Sequence, residues 1–188
     1  MKKIKGGMMM IMAVVLLLTV AVNAESKEEQ QNKIVEMAQQ SLQQLYEKQP
    51  SAKAAVKNAA GYAVFSDMGV KILFAGSGNG QGVAVNNKTD QQTFMKMVEL
   101  QAGLGFGIKK FRNIFVFETE KAINSFVKSG WQFGGQATAA AKTATNGGAM
   151  AGAAQVDDGV WLYQITETGL EASVTATGAK YYKNDSLN

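Results

Sequence analysis

Glycine recurs at alternate positions in the middle of this chain, where Gly103, Gly105 and Gly107 are separated by Leu104 and Phe106. Alternate residues of a β-strand point to the same face, so three successive positions of one face would carry no side chain. Interior strand glycine gives up packing and costs backbone entropy. Another group must therefore approach that face closely: a second sheet, the aromatic ring of a neighbouring strand, or a ligand chain.

Other segments also alternate with the two-residue period of strands. The run Thr93–Leu100 carries Phe94, Lys96, Val98 and Leu100 on one side and Met95, Met97 and Glu99 on the other. Shorter β-type runs are bounded by Gly, Asn and Asp, which are typical of turns. They are Tyr62–Phe65, Val70–Ala75, Gly82–Val85 and Asn113–Phe117. These patterns predict strands.

Helices are predicted in two regions. Residues 25–48 carry apolar side chains at three- and four-residue steps, which is the pattern of an amphipathic helix. Pro50 ends this helix, Ser51 caps a short helix at 52–58, and Gly61 stops it. A third helix begins after the cap Thr119 and ends at Gly130.

The last third of the chain is predicted to be extended. Residues 131–133 restart a strand, and the Ala, Thr and Gly tract at 137–154 suggests small-residue strands around a turn at 145–148. A hairpin with Thr168 and Gly169 at its turn joins 159–165 to 170–177. The fold class is therefore α+β: an antiparallel, glycine-rich sheet, barrel- or sandwich-like, with an N-terminal amphipathic helix and one or two further helices.

The first 24 residues have the features of a signal peptide. Lys2, Lys3 and Lys5 precede the uncharged stretch 8–22, and Ala24 completes a small-residue cleavage site. The apolar part of about 15 residues is short for a membrane span, which needs roughly 20, although an uncleaved anchor remains an alternative. We expect cleavage after Ala24, a periplasmic location, and one domain at 25–188, with a helical lead-in at 25–58 and a glycine-rich core at 59–188.

Composition excludes several classes of function. Of the 19 basic residues three lie in the signal peptide, which leaves 16 against 15 acidic residues and a net charge of about +1 after cleavage. No basic run suited to nucleic acid is present. The chain contains no Cys and no His, so disulfides, lipid attachment to Cys, thiolate or His metal sites and Ser-His-Asp triads are excluded. No cofactor, metal or catalytic residue is predicted.

Two remaining motifs have local explanations. The run Gly76–Gly82 resembles a phosphate-binding loop, but a β-type run follows it instead of a helix, so a hairpin with flexible glycines is favoured. The acidic pairs Glu118/Glu120 and Asp157/Asp158 lie at a helix start and in a turn, positions that favour carboxylates without catalysis. A hydrolase that uses carboxylates alone is the remaining enzymatic alternative.

Basic residues interleaved with aromatics form the candidate binding surface. The densest basic cluster of residues 25–188 contains Lys109, Lys110 and Arg112 beside Phe111, and the tail carries Lys180 and Lys183. Such residues suit anionic lipid headgroups, each charge contributing about 1 kcal/mol at a charged membrane. The ordinary alternative for each of them is a solvated strand end.

The order of these features resembles the SYLF (Ysc84-type) family. The motifs that carry the resemblance are the opening Gly61-Tyr62-Ala63-Val64-Phe65, the alternating glycines Gly103, Gly105 and Gly107, Val116-Phe117 before a helix, and the late Gly169-Leu170-Glu171-Ala172-Ser173-Val174. It covers residues 30–182. Two departures exist: Ser66 stands where the family usually has proline, and 88–101 lacks its tryptophan-centred sequence.

The resemblance implies lipid binding without catalysis. The expected function is binding of anionic phospholipid or another amphiphile in the cell envelope, at a membrane lipid surface, with no nucleic acid. The alternative is a structural or protein-interaction module of the periplasm that has no lipid ligand, and the resemblance identifies no particular protein partner.

Overall fold

A computed structural model describes residues 25–72, 75–102, 107–134, 142–143, 150–166, 169–171 and 178–188. The helices are α1 (Lys27–Lys48), α2 (Ser51–Asn58) and α3 (Glu120–Ser129). The first strands are β1 (Gly61–Ile72), β2 (Ala75–Asn86), β3 (Gln92–Ala102), β4 (Gly107–Phe117) and β5 (Trp131–Gly134). The others are β6 (Lys142–Thr143), β7 (Ala154–Asp157), β8 (Val160–Thr166), β9 (Gly169–Glu171) and β10 (Gly178–Lys183).

All ten strands belong to one antiparallel sheet that curls as a half-barrel. Its order is β5-β10-β3-β2-β1-β4-β8-β7-β6, and β9 also pairs with β8. The predicted α+β class with an N-terminal helix and two further helices is confirmed. The sheet was predicted to be barrel-like or sandwich-like, and the described residues form a curled, barrel-like sheet. Helices, and not a second sheet of described residues, pack on its faces.

Each face of the sheet has its own core. On the helix-1 face, Ile34 and Leu45 of α1 pack with Val64, Ile114 and other buried residues, and α2 adds Val56. On the opposite, helix-3 face, aromatic rings dominate: Phe65, Phe115, Phe117, Phe126 and Tyr181. This division follows from strand alternation, since Val64 and Phe65 are neighbours in β1 and point to opposite faces.

Two polar residues, Thr119 and Ser51, were predicted to cap helices, and hydrogen bonds at the helix starts test both predictions. Thr119 caps α3, accepting a bond from the Ala122 amide at 3.2 Å, and Gly130 ends the helix with φ of 70°. The prediction that Ser51 caps α2 is wrong, because Ser51 is already the first residue of that helix. The N-cap of α2 is Pro50, which makes no side-chain cap hydrogen bond. Gly61 does not simply stop α2 but begins β1.

The predicted strand boundaries at 62–85 are wrong. Residues 62–65 and 70–72 belong to one strand of 12 residues, β1, and the glycines of the run 76–82 lie inside β2. The pairing of Ile72 with Ala75 places the hairpin turn before the glycines. A neighbouring ring explains why glycine is tolerated in this strand: a Cβ on Gly82 would lie 2.5 Å from Cδ1 of Phe65.

The remaining predictions are met in part. Strands are present at 93–100, 113–117, 131–133 and 160–165. Residues 169–171 of β9 pair with β8 as the start of the predicted hairpin, and Gly169 lies in the strand and not in the turn. The tail 180–183 forms β10, which the sequence had not indicated. The predicted signal peptide, residues 103–106 of the predicted alternating glycines, the predicted turn at 145–148 and residues 172–177 of the predicted hairpin lie outside the described residues. In the part of the chain that the structure describes, no helix is long and apolar enough to cross a membrane.

Candidate functional site

Strand register arranges the helix-1 face in rows that run across the sheet. The row nearest α1 is apolar and consists of Ile114, Val64, Val83 and Phe94 on β4, β1, β2 and β3. Two residues further along the strands, the next row consists of Arg112, Ser66, Gln81, Lys96 and Tyr182. The helix-1 face therefore changes from apolar to polar over two residues along each strand.

A third row lies beyond the polar one and brings in two of the predicted lysines. It consists of Lys110, Met68, Asn79, Val98 and Lys180. Adjacent strands lie about 4.8 Å apart, so Lys110 and Lys180 stand on strands about 19 Å from each other. The two rows form a polar and basic field on this face of the sheet.

One flank of α1 turns this field into a groove. Lys33, Ile34 and Met37 form its helical wall. Its floor includes Arg112, Ser66, Gln81, Lys96 and Tyr182 of the second row and Lys110, Asn79 and Val98 of the third. The cavity volume is about 600 Å³. We call it the basic groove. It exists because α1 covers only the apolar row and leaves the polar rows uncovered.

The basic groove has a positive charge excess. Lys96 and Lys110 are exposed, whereas Arg112 is half-buried and donates a hydrogen bond from Nη1 to Ser66 Oγ. Lys33 is the fourth cation of the lining, and among the lining residues that the structure describes no Asp or Glu occurs. With the Arg112 guanidinium held by Ser66, less side-chain freedom is lost when an anion binds.

Lys33 differs from the other three cations because it has carboxylate partners. Its Nζ lies 2.7 Å from Oε1 of Glu25 and 3.3 Å from Oε1 of Glu29. The hydrogen bond to the Glu25 carboxylate, followed by that to Glu29, raises the pKa of Lys33. Part of its charge is thus compensated, and Lys96, Lys110 and Arg112 supply the net positive charge of the groove.

Apolar side chains border the basic groove at β3. Val98 is 44% exposed and Leu100 is 68% exposed, and they are the large exposed hydrophobic residues of the described part of the chain. Val98 and Leu100 follow Lys96 at two-residue steps in β3, so all three lie on the helix-1 face. A basic floor beside exposed apolar side chains matches the two ends of an anionic amphiphile.

The predicted binding residues are divided between the faces. Lys110 and Arg112 line the basic groove, and Lys180 lies on the same face, opposite Val98. Lys183 is exposed but belongs to the helix-3 face, where it pairs with Met95. Phe111 is only 3% exposed and so offers no surface to a lipid in this structure.

Lys109 can be located only by its backbone. It pairs with Gly69 of β1 in the strand register. It precedes Lys110 in β4, so by alternation it occupies a position of the opposite face. Of the predicted residues, the structure therefore brings together Lys110 and Arg112, whereas Lys180 shares their face but does not line the groove.

Sequence reasoning missed Lys33 and Lys96. The alternation of Phe94, Lys96, Val98 and Leu100 did place Lys96 among residues that share a face, which was the available signal. Nothing local, however, indicates that this face is also the face of Lys110 and Arg112. Lys33 lies on α1, and its distance from the other cations depends on how the helix crosses the sheet.

One carboxylate of each acidic pair accepts hydrogen bonds in the structure. Asp157 accepts hydrogen bonds from the Asp158 amide at 2.8 Å and from Nε1 of Trp131 at 3.3 Å. Glu120 accepts a bond from Nδ2 of Asn86 at 2.8 Å. Within the described residues no group of three or more His, Cys, Asp or Glu side chains is placed to hold a metal ion.

Two comparisons with known proteins add to this geometry. Residues 98–188 match the family model described as "Ysc84: Las17-binding protein actin regulator". The chain is also 31% identical, over 175 residues, to "Beta cell expansion factor A" of Aeromonas veronii. That alignment covers 93% of this chain and 65% of the relative, so the chain spans about two thirds of the relative's length.

Proposed function

Because this chain carries a domain of the Ysc84 (SYLF) family, we propose that it binds anionic phospholipid, or another anionic amphiphile, in the basic groove. It acts by binding and not by catalysis. The description of the family as an actin regulator and that of the relative as an expansion factor name no reaction. The alternative is a protein-interaction module, which the words "Las17-binding" in the family description favour.

The observation that carries this proposal is the junction of charge and apolar surface on the helix-1 face. Lys96, Lys110 and Arg112 would meet the phosphate, and Val98 and Leu100 would contact the hydrocarbon next to it. Each Lys or Arg near an anionic membrane contributes about 1 kcal/mol, so three of them supply about 3 kcal/mol before any apolar contact. This is enough to separate anionic from neutral vesicles by roughly two orders of magnitude.

We further propose that the protein meets its lipid in the cell envelope. The basis is the signal peptide predicted at residues 1–24, followed by a chain without cysteine. Fractionation of cells that express the tagged full chain, together with mass determination of the mature N-terminus, tests this location. A periplasmic protein that begins at Glu25 is expected, and a cytoplasmic protein that retains residues 1–24 would contradict it.

Vesicle sedimentation tests the binding proposal. We expect the protein to sediment with phosphatidylglycerol vesicles and to remain in solution with phosphatidylcholine vesicles. Binding should weaken from 0.1 to 1 M salt as the Debye length falls from about 10 to about 3 Å. Lys96→Gln with Lys110→Gln should lower the vesicle affinity about 25-fold, or about fivefold for each charge.

A charge-matched control separates the groove from overall charge. Lys121→Gln with Lys128→Gln removes two exposed charges from α3, on the other face of the sheet. This control should keep its vesicle affinity within about twofold. An equal loss in both double variants would mean that net charge and not the basic groove drives binding. Absence of vesicle binding, with a protein partner recovered at equal stoichiometry, would favour the interaction module.

A further inference from the structure

The basic groove continues into a second cavity along α1. This cavity has a volume of about 400 Å³ and is lined by Gln44, Lys48 and Thr166, among others. Lys110 and Arg112 line both cavities. The two spaces therefore meet at these two side chains of β4.

The positions that α1 contributes place both cavities on one flank of the helix. Lys33 and Met37 line the first cavity, and Gln44 and Lys48 line the second. Their spacings of four, seven and four residues correspond to a single stripe of an α-helix. The cavities thus form one channel beside α1, about 22 Å long from Lys33 to Lys48 at 1.5 Å per residue.

Cations are distributed along the whole channel. Lys33 lies at one end, Lys96 follows on β3, Lys110 and Arg112 lie where the cavities meet, and Lys48 lies at the other end. No Asp or Glu is found among the described residues that line either cavity. A single headgroup would engage the cations at one place, whereas an extended polyanion would engage them all.

Neutral hydrogen-bonding side chains separate these cations. They are Gln44, Ser66, Asn79, Gln81 and Thr166. Amide and hydroxyl groups both donate and accept hydrogen bonds, which suits the hydroxyl groups of sugars. Single-stranded nucleic acid would need aromatic rings for successive bases, whereas the described lining of the first cavity offers one aromatic side chain, the half-buried Tyr182.

From this arrangement we propose that the channel along α1 binds an extended anionic glycan, a sugar chain that carries phosphate or carboxylate groups. This rests on the proposed function, since it specifies the ligand of the same groove. The sugar chain is either the headgroup of a glycolipid or a free polysaccharide. In both cases the charges of the chain lie along the channel, and the sugar hydroxyls meet the neutral side chains between the cations.

Heparin oligosaccharides of graded length, used as probes in isothermal titration calorimetry, test this proposal. Affinity should increase with length from the disaccharide and level off once the oligosaccharide is long enough to fill the channel, so that an octasaccharide occupies it fully. Lys48→Gln in the second cavity and Lys96→Gln in the first should each weaken octasaccharide binding about fivefold. Each should weaken disaccharide binding less than twofold, because a disaccharide can occupy the other end. Lys121→Gln serves as the control and should change neither.

The proposal is overturned by equal affinity for disaccharide and octasaccharide, or by Lys48→Gln acting like the control. Tighter binding of a single-stranded oligonucleotide of equal charge would also overturn it. Octasaccharide binding without phosphatidylglycerol binding would support the channel, remove the phospholipid proposal and point to a free polysaccharide. If the protein binds both the octasaccharide and phosphatidylglycerol vesicles, the octasaccharide should displace the protein from the vesicles, a result that supports a glycolipid ligand. If the octasaccharide does not displace the protein, the two ligands do not share a site and the proposal is overturned.

Discussion

Replacing Gly82 by alanine should destabilise the fold, because neighbouring atoms already occupy the space that the alanine Cβ would need. A Cβ at this position would lie 2.2 Å from the Val64 carbonyl oxygen and 2.5 Å from Cδ1 of Phe65. The ring cannot easily move, since it packs edge-on against Tyr181 at 4.8 Å and Phe115 at 6.1 Å. Overpacking of this kind costs about 1 to 3 kcal/mol, and we expect about 2 kcal/mol for Gly82→Ala.

Urea unfolding of the residue 25–188 protein, followed by circular dichroism, measures this cost. The midpoint should fall with an unchanged slope, and Tm should fall by about 4 to 8 °C for a domain of this size. Ser77→Ala, at an exposed position of the same strand, is the control and should stay within about 0.5 kcal/mol of the parent protein.

A double-mutant cycle identifies the group that excludes the Cβ. In a Phe65→Leu background the smaller side chain should reduce the cost of Gly82→Ala by about 0.5 to 1.5 kcal/mol, while the contact with the Val64 carbonyl keeps it above zero. Strict additivity of the two substitutions would refute the argument that the ring fills the glycine position. So would a Gly82→Ala protein as stable as the parent.

Two further predictions concern buried polar groups. Burial raises the pKa of Tyr163 to about 12. The folded protein therefore keeps the phenolic proton that the unfolded chain loses above pH 10, so this stabilisation is complete below pH 10 and is lost as the pH rises through 12. Up to about 2 kcal/mol should be lost over this range. Urea unfolding at pH 8 and pH 11 should show a smaller pH effect in Tyr163→Phe, and an unchanged effect would contradict the assignment. The buried Asn113 accepts a 2.9 Å hydrogen bond from Nε2 of Gln164, so Asn113→Ala should cost about 1 to 3 kcal/mol of unfolding free energy. Exposed Asn124→Ala on α3 should cost nothing, and equal effects of the two would argue against the buried pair.

Local signals in the sequence predicted most of the secondary structure. The Thr119 cap and Gly130 stop delimit α3 because a cap hydrogen bond and a positive φ are properties of a few neighbouring residues. The alternation at 93–100 identified β3 for the same reason. The prediction failed where glycine was taken as a turn signal, since at Gly82 the need for glycine comes from the Phe65 ring and the Val64 carbonyl of another strand.

The candidate site was predicted only in part. Lys110 and Arg112, which are close in sequence, do line the groove, whereas Lys180 of the basic tail shares its face without lining it. Phe111 and Lys183 were grouped with them, although alternation sends neighbouring residues of a strand to opposite faces. Lys96, Lys33 and Lys48 are distant in sequence and join the groove and its extension through strand register and the path of α1.

The sequence by itself determined the α+β class, the caps and the alternating faces of single strands, because these depend on residues within a few positions of one another. The tertiary structure alone decided that the Phe65 ring lies where a side chain at Gly82 would be, which strand faces coincide, and that α1 leaves two polar rows uncovered. Those features depend on pairing between segments far apart in the chain, which no local pattern encodes.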